Sequence, residues 1–220
     1  LVIDKRNPVG YHGWNPKDRD GDTPLNIAVK EGHVEICQLM FKNVGINDMK
    51  NNEGLTPLHV AAKNGHFKVF KAISEYFFDI NPVSALENSF TVENYDKKTT
   101  PLDLAGKRGH LEICRLIIDR IAINNPESLS ILLHRAAKNG HFAVCQLIIA
   151  YLEDKNPKDS TDEENTPLHL AASTGNFEVC QLILQNIQDV NPKAYFGETP
   201  LEMARQQGHD NICRLIESAL

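Results

Sequence analysis

The chain has little that would export it, anchor it or load it with metal. Its longest apolar run, Phe142 to Leu152, is interrupted by Gln146 and falls short of the ~20 residues a bilayer-spanning helix needs. The opening Leu1-Val2-Ile3, followed by Asp4-Lys5-Arg6, lacks the basic-then-apolar order of a secretory leader. No Asn-x-Ser/Thr glycosylation sequon occurs. Nor is there a basic excess: 23 Lys+Arg stand against 29 Asp+Glu, a formal charge of −6. That balance argues against general binding to nucleic acid or anionic membrane and leaves only a local basic strip to serve such a role. Cys-x-x-Cys pairs, a P-loop, a dinucleotide fingerprint and His-Glu-x-x-His are all missing, which removes the common signatures of zinc, nucleotide and metalloprotease chemistry. An intracellular protein, cytoplasmic or nuclear, is the expectation. What is present, 41% hydrophobic residues beside 24% charged, suffices to bury a core.

The strongest signal is internal repetition. Gly54-Leu55-Thr56-Pro57-Leu58-His59 leads into Ala61-Ala62-Lys63-Asn64-Gly65-His66, and the string returns as Thr166-Pro167-Leu168-His169, Ala171-Ala172 and Gly175-Asn176. Weaker copies begin at Thr23, Thr100, Ile131 and Thr199, so the anchors are spaced by 33, 44, 31, 35 and 33 residues. Each unit reads as a helical hairpin. Thr56 can cap a helix, and Pro57 sits at its first position, where a missing N–H costs nothing. Small residues such as Ala61 and Ala62 let neighbouring helices approach. Gly65 can supply the positive φ that ends this helix, and His66 opens a second one carrying Phe67, Val69, Phe70 and Ile73. Neither helix can bury its apolar face alone, whereas stacked hairpins can. Polar, Gly-containing stretches such as Lys17-Asp18-Arg19-Asp20-Gly21-Asp22 precede the anchors and read as projecting turns.

This arrangement of Thr-Pro-Leu-His, Ala-Ala and Gly-His at a period near 33 resembles the ankyrin repeat over about residues 15 to 218. The resemblance implies an all-α solenoid of stacked helix–turn–helix hairpins with projecting β-hairpin fingers. It also implies a concave face, formed by fingers and first helices, that binds other proteins. Residues 15–220 are then the ankyrin-repeat domain, anchored at Thr23, Thr56, Thr100, Ile131, Thr166 and Thr199. Residues 1–14 read as the end of a preceding repeat plus an elaborated finger, and a further expansion lies at about 83–94. Because Leu1 to Arg6 looks like the last turn of a second helix, ending at Asn7-Pro8 as Phe78-Asp79-Ile80 ends at Asn81-Pro82, the chain reads as a segment of a longer array. The fourth unit, Ile131-Leu132-Leu133-His134, lacks both the Thr cap and the helix-opening Pro.

Repeat register also accounts for most residues that could carry chemistry. Cys37, Cys114, Cys145, Cys180 and Cys213 each fall fourteen residues after an anchor, where the second unit has Phe70. A position that accepts Cys or Phe is a packing position. Layers about 10 Å apart put the thiols beyond disulfide reach. Eight of nine histidines recur either three or ten residues after an anchor, and only His12 is out of register. The resemblance implies that the three-after histidines hydrogen-bond around the Thr cap and tie fingers to helices. Asp18-Arg19-Asp20-Gly21-Asp22 resembles the front of a calcium loop, but Thr23 and Val29 stand where an EF-hand needs Gly and Glu. No acid, base or nucleophile stands outside structural register with plausible partners, so neither catalysis nor a cofactor or metal is expected.

What remains for function is surface. Residues seven and eight after each anchor end the first helix and, by resemblance, face the concavity. They give five positive charges, Lys30, Lys63, Lys107, Arg108 and Lys138, and one negative, Glu31, in the first four units and no charge in the last two. Nine of the fifteen aromatics fall in second helices, whereas Tyr95, Tyr195 and Phe196 are among those in fingers or expansions and suit the anchor role at an interface. The expectation is a monomeric, non-catalytic module binding a partner protein that has acidic and hydrophobic features. Two alternatives are a regulatory or structural ankyrin segment of a larger channel, enzyme or scaffold, and a polyanion binder (nucleic acid or phosphoinositide) using the basic strip. By resemblance alone, Asp79-Ile80-Asn81 and Asp189-Val190-Asn191 match the acidic–apolar–Asn pattern offered to asparaginyl hydroxylases, which marks Asn81 and Asn191 as candidate hydroxylation sites.

Overall fold

The computed structural model of the protein describes residues 17–19, 21–44, 50–84, 99–124, 128–159 and 163–220. Among them the chain is all-α, with twelve helices and no strand. It divides into two compact units, Leu1–Ile113 and Cys114–Leu220.

In the first unit, α1 (Pro24–Lys30), α3 (Pro57–Asn64) and α5 (Pro101–Arg108) pack side by side as a front row, while α2 (Val34–Val44) and α4 (Phe67–Ser74) pack together behind. Helix α6 (Leu111–Asn124) begins in this unit and continues into the next. In the second, α7 (Ser128–Lys138), α9 (Pro167–Ser173) and α11 (Pro200–Gln206) form the front row, with α8 (Phe142–Ile149), α10 (Phe177–Leu184) and α12 (Asp210–Ala219) behind. Each unit is a short solenoid of helix–turn–helix layers, the architecture the repeats imply.

The local causes are those read in the sequence. Thr23, Thr56, Thr100, Thr166 and Thr199 are extended N-cap residues, each followed by a proline in the first turn. Gly65 ends α3 at φ 73°, a left-handed conformation that a side chain resists, and its N–H bonds back to Ala61 and Ala62. The residue ten after an anchor then seals the end of the previous first helix. His66 Nε2 meets the Lys30 carbonyl at 2.8 Å, Asn176 Nδ2 donates to the Lys138 carbonyl at 2.9 Å, and His209 Nε2 meets the Ser173 carbonyl at 3.2 Å. Terminal carbonyls that the helix itself leaves unbonded are thereby satisfied by the next layer.

The core follows the fourteen-after register. Cys37, Phe70, Cys114, Cys145 and Cys180 are each 0% exposed and Cys213 is 8% exposed. All five cysteines are free thiols. Desolvation pushes Cys37 up to about 11 and Cys114, Cys145 and Cys180 up to about 12.

Two features differ from a regular pattern of fingers and caps. Helix α7 begins at Ser128, a turn before Ile131, so Ile131 is not a cap but a helical residue, 65% exposed. Without a proline or a Thr cap at the anchor, nothing stops the helix from extending backward. The fingers, among the described residues, are single turns rather than strand pairs. Two backbone bonds close each: Asp18 N–H to the Asp22 carbonyl at 3.0 Å with Gly21 N–H back to Asp18 at 3.0 Å, Asn51 N–H to Leu55 at 3.1 Å with Gly54 N–H back to Asn51 at 2.9 Å, and Ala194 N–H to Glu198 at 2.9 Å with Gly197 N–H back to Ala194 at 2.9 Å. Such loops are too short for a ladder. Residues 1–14, with His12, and nearly all of the expansion at 83–94 lie outside the described residues, as does Tyr95.

A candidate protein-binding face

The residue three after an anchor closes the helix cap in four repeats, and where it is histidine it also reaches the next finger. His59 accepts the Thr56 N–H on Nδ1 at 3.2 Å and meets the Thr56 hydroxyl at 2.8 Å, while its Nε2 reaches the Thr99 carbonyl at 3.2 Å. Nδ1 is therefore the acceptor and Nε2 carries the proton. His169 repeats the pattern with Thr166 at 3.1 and 2.9 Å and with the Glu198 carbonyl at 3.2 Å. Burial lowers the His59 pKa to about 4, partly opposed by the Thr99 carbonyl and Asp103, and burial also lowers that of His169. In the third and sixth repeats carboxylates take over the cap. Asp103 accepts the Thr100 N–H at 2.9 Å and Glu202 accepts the Thr199 N–H at 2.9 Å. Hydrogen bonds from Thr199 hold the Glu202 carboxyl below the usual range. The tie between helix and finger implied for the three-after histidines is thus present at His59 and His169. His134, beside the lost cap, also reaches the next finger, with Nε2 3.0 Å from the Asn165 carbonyl.

Within the first unit, two fingers and two front helices enclose a cleft of about 320 Å3. The fingers are laced to each other: Asn51 Nδ2 donates to Asp22 Oδ1 at 3.1 Å and Asn52 Nδ2 donates to the Arg19 carbonyl at 3.3 Å. The approach is close enough to require Gly21. At φ 75°, a Cβ there would lie 2.2 Å from Asn52 Oδ1 and 2.6 Å from the Asn52 backbone nitrogen. Leu55 and Val60 form the apolar part of the lining.

The sequence-derived cations fall on both units. Lys30, Lys63, Lys107 and Arg108 lie at the C-terminal ends of α1, α3 and α5, and all but half-buried Lys63 are exposed. Lys63 pairs with Glu53 of its own finger at 3.4 Å, so its charge is partly met. Lys138 ends α7 in the second unit and is exposed. Tyr195 and Phe196 stand on the last described finger, 65% and 76% exposed, with their rings edge to face at 5.2 Å. The Tyr195 N–H donates to the Glu163 carbonyl at 3.0 Å, which ties this finger to the one before it.

Asn81 and Asn191 hold the starts of the next first helices. Asn81 Oδ1 accepts the Leu102 N–H at 2.9 Å and Asn191 Oδ1 accepts the Leu201 N–H at 3.2 Å. Asn156 does the same for Leu168 at 3.0 Å, a third copy that sequence reasoning missed because Lys155 breaks the acidic–apolar–Asn pattern. Lys155 instead turns its ammonium onto the Ile149 carbonyl at 2.8 Å, near the end of α8. Arg19, Asn51 and Asn52 were missed as cleft residues too; the only signal was their place in Gly-containing polar turns. Among the described residues no group of His, Cys, Asp and Glu could hold a metal ion, and no helix is long and apolar enough to cross a membrane.

The family model for ankyrin repeats (3 copies) matches residues 7–84, 81–159 and 133–219, and the chain belongs to the ankyrin-repeat family. Comparison with curated proteins gives no match. Ankyrin repeats are generally protein–protein interaction modules.

Proposed function

We propose that this chain is a non-catalytic module that binds a partner protein through its front helices and fingers, and that the partner surface is acidic with hydrophobic anchors. The observation that carries the proposal is the Tyr195–Phe196 pair. Two large rings stand mostly in solvent on a finger whose backbone is tied at both Glu163 and Glu198. Such rings lose little side-chain freedom on binding and bury much area, which is why aromatics dominate interface energetics. The exposed cations Lys30, Lys107, Arg108 and Lys138 add charge complementarity. Exposed pairs contribute about 0.2–1 kcal/mol each, so they steer association rather than hold the complex. Two carboxylates among the cations of the first unit, Asp22 and Glu53, weigh against a polyanion as ligand.

The test begins with capture of a partner from native lysate, its identification by mass spectrometry, and binding kinetics with purified components. Lys107→Glu with Arg108→Glu should slow association and flatten its salt dependence. Tyr195→Ala with Phe196→Ala should weaken affinity by about ten- to a hundredfold, mainly through faster dissociation. Unchanged binding in both double variants would move the interface off the front face.

A further inference from the structure

The cleft of the first unit has a charge pattern that selects its occupant. Five charged side chains line it: the cations Arg19, Lys30 and Lys63, and the carboxylates of Asp22 and Glu53. Both carboxylates are already engaged, Asp22 by Asn51 at 3.1 Å and Glu53 by Lys63 at 3.4 Å. Arg19 and Lys30 are exposed, and among the described residues neither has an ion pair or a side-chain hydrogen bond. Two cations thus border a cleft whose acids are occupied.

We propose that the space between the first two fingers is a subsite for a single Asp or Glu side chain of the partner, with its carboxylate between Arg19 and Lys30. The lining carries a net charge of +1, three cations against two carboxylates. That matches a monoanion. A phosphoryl dianion would bring a second negative charge toward Asp22 and Glu53, where like charges at close range are costly. A volume of about 320 Å3 lies at the small end for ligand sites, roughly 300–1,000 Å3, and suits a side chain rather than a cofactor. Leu55 and Val60 supply apolar contact for the stem of that side chain. The lacing of the fingers by Asn51 and Asn52 sets the width of the cleft before anything binds, so little ordering is needed on entry. This subsite deepens the front-face reading and rests on it.

Peptides selected from a displayed random 12-residue library against the whole chain provide the probe, with affinity then read by fluorescence anisotropy. Selected peptides should share an Asp or Glu whose change to Asn or Gln weakens binding about tenfold, the size expected for a partly desolvated charge pair. Arg19→Gln or Lys30→Gln should weaken the acidic peptide by a similar factor and leave its neutral version unaffected. Thermal melts of both variants should match the parent, since neither side chain supports the fold. Peptides that lose affinity with the Lys107/Arg108 or Tyr195/Phe196 variants, yet ignore Arg19→Gln and Lys30→Gln, would overturn the subsite and keep the front-face reading. Indifference to all four variants would overturn both. Tighter binding when phosphoserine replaces the acidic residue would overturn the monoanion assignment.

Discussion

His59 can hold its neighbours only while its ring is neutral. Nδ1 must accept from Thr56 at the same time as Nε2–H donates to Thr99, and a protonated ring has no lone pair left for the first task. Burial reinforces this by pushing the His59 pKa from 6.5 to about 4. The folded state therefore binds the proton less readily than the unfolded chain. Stability from this group is fully present above pH 6.5, falls as the pH drops from there toward 4, and has no more to lose below that. Urea unfolding across that range should show a loss approaching about 1.4 kcal/mol per pH unit from this one site. In His59→Gln the slope should shrink by one proton's worth, even though the variant is less stable at neutral pH. An identical slope in the two proteins would mean that His59 binds its proton as readily in the folded state as in the unfolded chain.

Among the helices, α7 shows how far cap chemistry decides an element's boundaries. Five of the six front helices begin at a proline held by an extended Thr, and each starts at that proline. In the fourth repeat neither residue is present, and α7 starts at Ser128 instead. Restoring the proline at its register position should therefore harm rather than help. Leu132 lies in the second turn of α7, where its N–H pairs with the Ser128 carbonyl, so Leu132→Pro removes that bond and sets the ring against the preceding turn. The expected cost is about 3 kcal/mol, read as a lower denaturation midpoint. A neutral or stabilising outcome would show that the first turn of α7 is not helical in solution. The same comparison explains the caps at α5 and α11. Asp103 and Glu202 satisfy Thr100 and Thr199 as well as an imidazole does, but a carboxylate has no proton with which to reach the next finger.

For the molecule as a whole, the thiols report whether the layers stay closed. Four cysteines are 0% exposed and the fifth 8%, and burial holds three of them up near 12. A thiolate is the reactive species, so both access and ionisation protect these groups. A thiol reagent at neutral pH should modify few cysteines in the native protein and all five after denaturation. Fast native modification of three or more would show that the layers open readily, and the fourteen-after packing would then be wrong.

The sequence by itself determined the repeat, because its signals are local. A Thr–Pro start, a small-residue helix, a glycine stop and an apolar second helix each act within one turn or one hairpin, and six copies reinforce one another. Cysteine and histidine roles followed from register for the same reason: a side chain at a fixed offset meets the same neighbour in each layer. Tertiary structure alone decided which surface residues share a space. Arg19 and Lys30 lie on different elements, and the cleft they border exists because Asn51 and Asn52 lace one finger to the other. It alone decided, too, that the charge of Lys63 is met by Glu53, and that Asn156 takes the place of Asn81 and Asn191 while a lysine breaks the motif. Those outcomes depend on contacts between residues ten to forty positions apart. Local propensity carries no information about such pairs, and only the stacking of one hairpin on the next brings them together.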